Sequence, residues 1–339
     1  MSGSISARSA RWLVLLPLAW LACDDHEGIS SVARGTSGAG GYGTSTSATG
    51  NGGGATGGPG GASATGSGGA FSSSSGGGLP ATRVRVVAAN LSTGNYQTYD
   101  PGEGIRILKG VHGDVVLMQE MSYGGNTAPQ LRALIDEVCG VECAFTRGSG
   151  QIPNGVVSRY PILDAGTWTD AKVSNRDFVW ARLDVPGPRD LWVVSVHLLT
   201  SNPVARNAEA AKIIAQLDAK VPPGSLVVVG GDFNTVTPAE PAMVTFGARL
   251  STAPPYPADG NGNTNTNGPR SKPHDWVLPS LELRARETPV VIGAAHFDTG
   301  LVVDTRVYTP IADLAPALVG DSGAPSMQHM AVVRDFLLQ

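Results

Sequence analysis

Apolar residues along this chain fall into short runs of strand length and a few stretches of helical spacing. Arg83 to Ala89 alternates toward an apolar run at Val84, Val86 and Val87, which predicts a strand ending at Asn90. Ile105, Leu108 and Val111 recur at helical spacing and predict a short helix over Ile105 to Val111. Asp114 to Met118 reads as a buried strand that runs into Gln119 and Glu120. Thr127 to Val138 shows Leu131, Leu134, Ile135 and Val138 on one face, with Pro129 in the first turn of the helix this predicts.

Asn154 to Ile162 reads as one strand interrupted by a turn. Phe178 to Val185 and Leu191 to His197 read as paired strands joined through Pro186, Gly187 and Pro188. Pro203 to Leu217 predicts a helix capped by Asn202, with Ile213, Ile214 and Leu217 inward. Leu226 to Val229, four apolar residues in a row, predicts a fully buried strand cut off by Gly230 and Gly231. Asp232, Phe233 and Asn234 follow; in extended backbone, Asp232 and Asn234 share a side while Phe233 turns into the core. Closing an ordinary strand with an Asx turn is the simpler use for these residues. Pro254 to Arg270 is a long loop rich in Asn, Gly and Pro, followed by Asp275 to Leu278 and a last strand from Met330 to Phe336. Strands alternating with helices and then pairing as hairpins predict an α/β fold, a four-layer sandwich of two packed mixed sheets flanked by helices.

The sequence before this domain has a different composition. Arg8 and Arg11 precede an apolar run from Trp12 to Ala22 that is too short to span a bilayer of about 30 Å. Cys23 directly after Leu21 and Ala22 resembles a bacterial lipoprotein signal, although Trp20 stands where such signals usually carry Leu, and plain secretory cleavage is the alternative. From Gly35 to Gly78 the sequence is almost entirely Gly, Ser, Thr and Ala and holds 19 of the 45 glycines, the composition of a flexible linker. A coil of that length spans roughly 35–40 Å. The expected organisation is therefore a signal over residues 1–22, a linker over 23–79 and one domain over 80–339. The protein is expected to be exported, either lipid-anchored at Cys23 or secreted, and monomeric.

Of the 339 residues, 24 are Lys or Arg and 28 are Asp or Glu, a net charge of −4; loss of Arg8 and Arg11 with the signal takes it to about −6. That excludes a broad basic face for coating nucleic acid, but not a nuclease with a local positive field. Cys139 and Cys143 suit a small-loop disulfide in an oxidising compartment, with free thiols as the alternative. The pair supplies too few ligands for a structural zinc site.

Polar residues recur at the ends of the expected strands: Asn90, Glu120, His197, Asp232 with Asn234, Asp275 and His329. One such residue is ordinarily a cap. Six segments limited to Asn, Asp, Glu and His are hard to explain by packing, because buried carboxylates need a cation or a partner. Taken in order, Leu117-Met118-Gln119-Glu120, Gly155 to Ile162, Ser195-Val196-His197-Leu198, Gly231-Asp232-Phe233-Asn234 and His329 resemble the endonuclease/exonuclease/phosphatase superfamily, the fold of pancreatic-type deoxyribonuclease. The resemblance runs from about Thr82 to Phe336.

The resemblance implies metal-dependent hydrolysis of a phosphoric ester. Glu120 then holds Mg²⁺ (or Mn²⁺) with Asn90 beside it. Asp232 orients or deprotonates the attacking water, and Asn234 positions that water or the phosphate. His197 and His329 bond the phosphoryl oxygens, and Asp275 holds His329 in one tautomer. Arg176 is expected to meet a substrate phosphate, or to be a surface arginine. One position departs from the pattern: Gln328 stands where the family carries Asp, which puts metal affinity or metal number in question. His112, His274 and His296 lie outside these motifs and read as ordinary; His274 precedes Asp275 and is the one of the three that could line the site, although strand alternation would turn it away. Three functions remain open: a nuclease on DNA, a phosphatase or sphingomyelinase-like phospholipase, and a non-catalytic surface binding module, which only Gln328 favours.

Overall fold

The computed structural model describes residues 81–339. The expected signal, Cys23 and the linker lie outside the described residues. Strands β1 (Thr82–Ala89), β2 (Val115–Met118), β3 (Ala144–Arg147), β4 (Gly155–Ser158), β5 (Ile162–Trp168), β6 (Phe178–Leu183) and β7 (Leu191–His197) form the first half. β8 (Leu226–Asp232), β9 (Asp275–Pro279), β10 (Glu287–Thr288), β11 (Val290–Ile292), β12 (Ala295–Phe297), β13 (Leu301–Val303) and β14 (Ala331–Leu338) follow. The helices are α1 (Glu103–Val111), α2 (Ala128–Val138), α3 (Pro203–Lys220), α4 (Pro241–Phe246) and α5 (Leu281–Arg284).

Two mixed sheets stack face to face. The first runs β10-β14-β1-β2-β4-β3, with β13 also on β14; the second runs β5-β6-β7-β8-β9. In the first sheet β1 and β2 are parallel and β14 is antiparallel to β1. In the second, β7 and β8 are parallel and β9 is antiparallel to β8. The period of two along each strand sorts the side chains between layers. Val84, Val86, Ala88 and Leu117 meet Val179, Ala181, Val193 and Val228 between the sheets. Val87, Val116 and Met118 face outward onto Leu108 and Val111 of α1 and Leu134, Ile135 and Val138 of α2. Trp192, Val194 and Val229 face α3 and α4 through Ala210, Ile213, Leu217 and Phe246. The order is helix, sheet, sheet, helix.

Local signals explain the ends. The Asn202 side chain accepts from the main-chain N–H of Val204 and Ala205, capping α3, and Thr127 with Gln130 forms a capping box on α2. Cys139 and Cys143 are joined as a disulfide.

Two expectations need correction. Residues 154–162 are not one interrupted strand: β4 belongs to the first sheet and β5 to the second, so Arg159, Tyr160 and Pro161 carry the chain across the sandwich. Nor do Gly230 and Gly231 end β8, which continues to Asp232. A Cβ on Gly230 would lie 2.7 Å from Leu117 Cδ1, and one on Gly231 (φ 140°) would lie 2.1 Å from the Val196 carbonyl oxygen. The glycines let neighbouring strands and sheets approach where the polar residues begin.

Candidate active site

Strand direction gathers the polar residues. The parallel strands β1, β2, β7 and β8 end at one edge of the sandwich, and the antiparallel strands β9 and β14 begin there. Asn90 and Glu120 follow β1 and β2, His197 and Asp232 close β7 and β8, Asp275 opens β9 and His329 precedes β14. Register does the rest in the second sheet. His197 pairs with Asp232 and Asp232 with Asp275, so three polar residues lie in one row across adjacent strands.

Contacts converge on the Asp232 carboxylate. Its Oδ2 lies 3.2 Å from Asn90 Nδ2, 3.4 Å from His197 Nε2 and 3.3 Å from His329 Nε2. Its Oδ1 accepts from the main-chain N–H of Asn234 at 2.8 Å, an Asx turn. The turn and the site are therefore the same structure. Asn234 is left-handed, at φ 52°, not extended, and its Nδ2 donates to the Leu198 carbonyl at 2.9 Å. Glu120 is left-handed too, at φ 50°. Asn adopts that region readily, and in Glu120 it is the less common conformation of a longer side chain. Phe233, between them in the turn, is fully buried as expected.

His329 Nδ1 lies 3.0 Å from Asp275 Oδ2, so its Nε2 faces Asp232. Burial opposes a charge on His329, but Asp232, Asp275 and Glu120 outweigh it and push the pKa up to about 10. His197 is the opposite case: burial, with Arg176 and His329 nearby, holds it well below the ordinary value, and it is neutral. Asp232 and Glu120 are both raised, chiefly by burial, with the His329 charge acting against the rise.

Asn90 donates from Nδ2 to Glu120 Oε1 at 3.3 Å, while its buried Oδ1 has no hydrogen-bond partner. A buried acceptor without a donor beside a desolvated carboxylate suits a hard, oxygen-seeking cation. Ser92, which no motif pointed to, donates to Glu120 Oε2 at 2.5 Å. Gln119 crosses between the sheets, its Nε2 donating to Ser195 Oγ at 2.9 Å.

Arg176 is not a surface arginine. It is buried, with Nε donating to the His197 carbonyl at 2.7 Å and Nη2 to the Leu198 carbonyl at 3.1 Å, so it supports the chain that carries His197. His274 is the second correction. It precedes β9, where strand alternation no longer governs, and its ring centroid lies 5.7 Å from that of His329. Burial lowers its pKa to about 4. The His274-Asp275 pair carries the signal in sequence, and the chain before β9 sets the direction of the side chain. Gln328 is exposed.

The endonuclease/exonuclease/phosphatase family model matches residues 76–306. The chain belongs to the endonuclease/exonuclease/phosphatase family. Members of this family are phosphoric ester hydrolases, typically dependent on a divalent metal. His329 lies beyond the matched residues and is joined to the site by the fold. Among solved structures, the endonuclease/exonuclease/phosphatase from Bacteroides vulgatus is similar at 19% identity and a TM-score of 0.52, over 76% of this chain and 99% of that one. A conserved protein of unknown function from Enterococcus faecalis is similar at 10% identity and a TM-score of 0.53, over 74% and 98%. The human nocturnin catalytic domain, solved with a bound sulfate anion, is similar at 15% identity and a TM-score of 0.50, over 75% and 94%. At these identities the likeness is one of fold. No curated protein matches the chain by sequence.

Proposed function

We propose that this protein is an exported, metal-dependent phosphodiesterase that hydrolyses DNA. The observation that carries the reading is the convergence of Asn90, His197 and His329 on the Asp232 carboxylate, with Glu120 and Asp275 alongside. Asp232 accepts a proton from the attacking water; its raised pKa makes it a stronger base than a surface aspartate. Asn234, with one amide N–H on Leu198, holds that water or a phosphate oxygen through what remains of its amide. His329, charged by its carboxylate neighbours, donates to a phosphoryl oxygen as negative charge grows there, and neutral His197 donates beside it. Asp275 keeps the His329 ring oriented. Glu120 and Asn90 would hold Mg²⁺ (or Mn²⁺), which when bound neutralises developing phosphoryl charge. The Cys139–Cys143 disulfide supports export to an oxidising compartment, with the anchor at Cys23.

A phosphatase or phospholipase reading uses the same residues, and the net charge of −4 favours it over a substrate as anionic as DNA. Plasmid nicking by the full chain with Mg²⁺, Mn²⁺ or EDTA separates them. Nicking should require metal and should fall by about 10²–10³ in His329→Ala, as for loss of one donor to a transition-state oxyanion, and at least as far in Asp232→Ala. Metal-dependent turnover of phosphomonoesters or phospholipids without nicking would move the assignment to that class.

A further inference from the structure

Most arginine and lysine side chains among the described residues are paired with a carboxylate, as Arg106 is with Asp321 and Arg270 with Asp259. Arg147 and Lys272 have no such partner among the described residues, and both stand at the edge where the polar residues gather. β3 pairs with β4 and β4 with β2, antiparallel each time, so β3 runs parallel to β2 and ends where β2 does. Its last residue is Arg147, whose Nε donates at 2.8 Å to the carbonyl of Met121, the residue after Glu120. Burial lowers the Arg147 pKa with no carboxylate opposing the shift. A half-buried guanidinium whose remaining donors are free is ready for a planar anion.

Lys272 is exposed, three residues before Asp275. Its carbonyl accepts from the Thr266 and Asn267 N–H groups at 2.9 and 3.1 Å, and its own N–H donates to Asn267 Oδ1 at 2.8 Å. Asn267 in turn pairs with His329 as an isolated bridge, so the backbone of Lys272 is fixed to the segment that carries the histidine. Its charge is felt at the site: burial is the main cause of the low His274 pKa, and the charges on His329 and Lys272 act with it against Asp232.

The two cations lie on opposite flanks. β9 lies over β1 and β14, and β3 over β5 and β6, so the residues at the ends of β1, β2, β7 and β8 have Lys272 on one side and Arg147 on the other. From β1, beneath β9, to β3 is three strand spacings, roughly 14 Å. A nucleic-acid strand, with a phosphate about every 3.4 Å of helix axis, covers that span with charge to place at both ends. A phosphomonoester or a choline phospholipid carries one phosphate.

We propose that Arg147 and Lys272 are positioning residues that hold the phosphates on either side of the scissile one, with the substrate a polynucleotide strand laid across the edge of both sheets. This rests on the hydrolytic reading above and names its substrate class. Arg147 presents a planar fork to one phosphate and Lys272 a point charge to another. The net charge of −4 opposes DNA at a distance, whereas these two charges act at contact.

The test is binding of a short fluorescent duplex DNA to the full chain over a range of salt, in EDTA so that no strand is cut. The slope of log Kd against log salt should be shallower by about 1 in Arg147→Gln and by about 1 in Lys272→Gln, whatever the base sequence, since each removes one phosphate contact. Lys212→Gln, which removes an exposed lysine midway along α3, should leave the slope as it is. No binding by the native chain, a native slope in either edge variant, or an equal change in Lys212→Gln overturns the proposal. Binding with these slopes but no nicking in Mg²⁺ would count against the hydrolytic reading alone, and nicking with unchanged slopes against this one alone.

Discussion

Burial and close neighbours set the charge state of single residues here. Asp232 is 1% exposed and is met by Asn90, His197 and His329. Below the site, Glu209 of α3 is also 1% exposed and accepts from the Leu199 N–H, two residues beyond His197. Burial and a hydrogen bond with Asp170 push the Glu209 carboxyl up to about 8. The folded protein therefore holds this proton more tightly than the unfolded chain does. The stability this brings is complete below the ordinary value of 4.5 and declines as pH rises toward about 8. In denaturant melts at pH 5 and pH 8, the native protein should lose stability more steeply than Glu209→Gln, by up to about 1.4 kcal/mol per pH unit for one proton. Parallel slopes would mean that Glu209 is ionised throughout.

The least regular element does the most to join the two halves of the site. Residues 254–270 form no helix or strand, as their composition suggests, yet they are ordered by their own side chains. Asp259 Oδ1 accepts from the Asn261 and Asn263 N–H groups, and Asn263 Oδ1 accepts from that of Asn265. Arg270 closes the ladder by pairing with Asp259 and reaching Asp304 at 3.4 Å. Thr266 then touches both flanks, its Oγ1 accepting from the Asp275 N–H and its carbonyl from the Met330 N–H, each at 2.7 Å. Arg270→Ala leaves Asp259 buried without its cation and should cost about 3 kcal/mol. Turnover should fall with it, because the loop that aligns Asp275 with His329 loosens. An unchanged melting temperature would show the loop to be held by its Asn ladder alone.

Across the whole molecule, the site exists because two sheets meet at a fixed separation. Glu120 and Asn90 stand on one sheet and His197, Asp232 and Asp275 on the other, with the inner core setting the gap between them. Leu117 sits in that gap, fully buried against Gly230 three residues before Glu120. Leu117→Ala should destabilise by about 3–4 kcal/mol through the cavity it leaves. It should also lower turnover in the fraction that remains folded, since the sheets can settle closer. Turnover per folded molecule equal to that of the native protein would mean that the contacts at the sheet edge hold the site unaided.

The periodicity of two and of 3.6 carried the main strands, the first three helices and the four-layer architecture, because burial on one or both faces imposes those patterns on sequence. It also marked Asn90, Glu120, His197, Asp232, Asp275 and His329, since an ionisable residue at the end of an apolar run is legible locally. Strands of two or three residues such as β10 to β13 are too short to show a period and went unseen. Three facts belonged to the tertiary structure alone: that Arg176 turns inward to main-chain carbonyls, that β4 and β5 part company between sheets, and that His274 joins His329. Each depends on where a chain segment lies relative to segments distant in sequence, and no local spacing encodes that direction. The sequence determined which residues had chemistry to offer, and the packing of two sheets decided which of them meet.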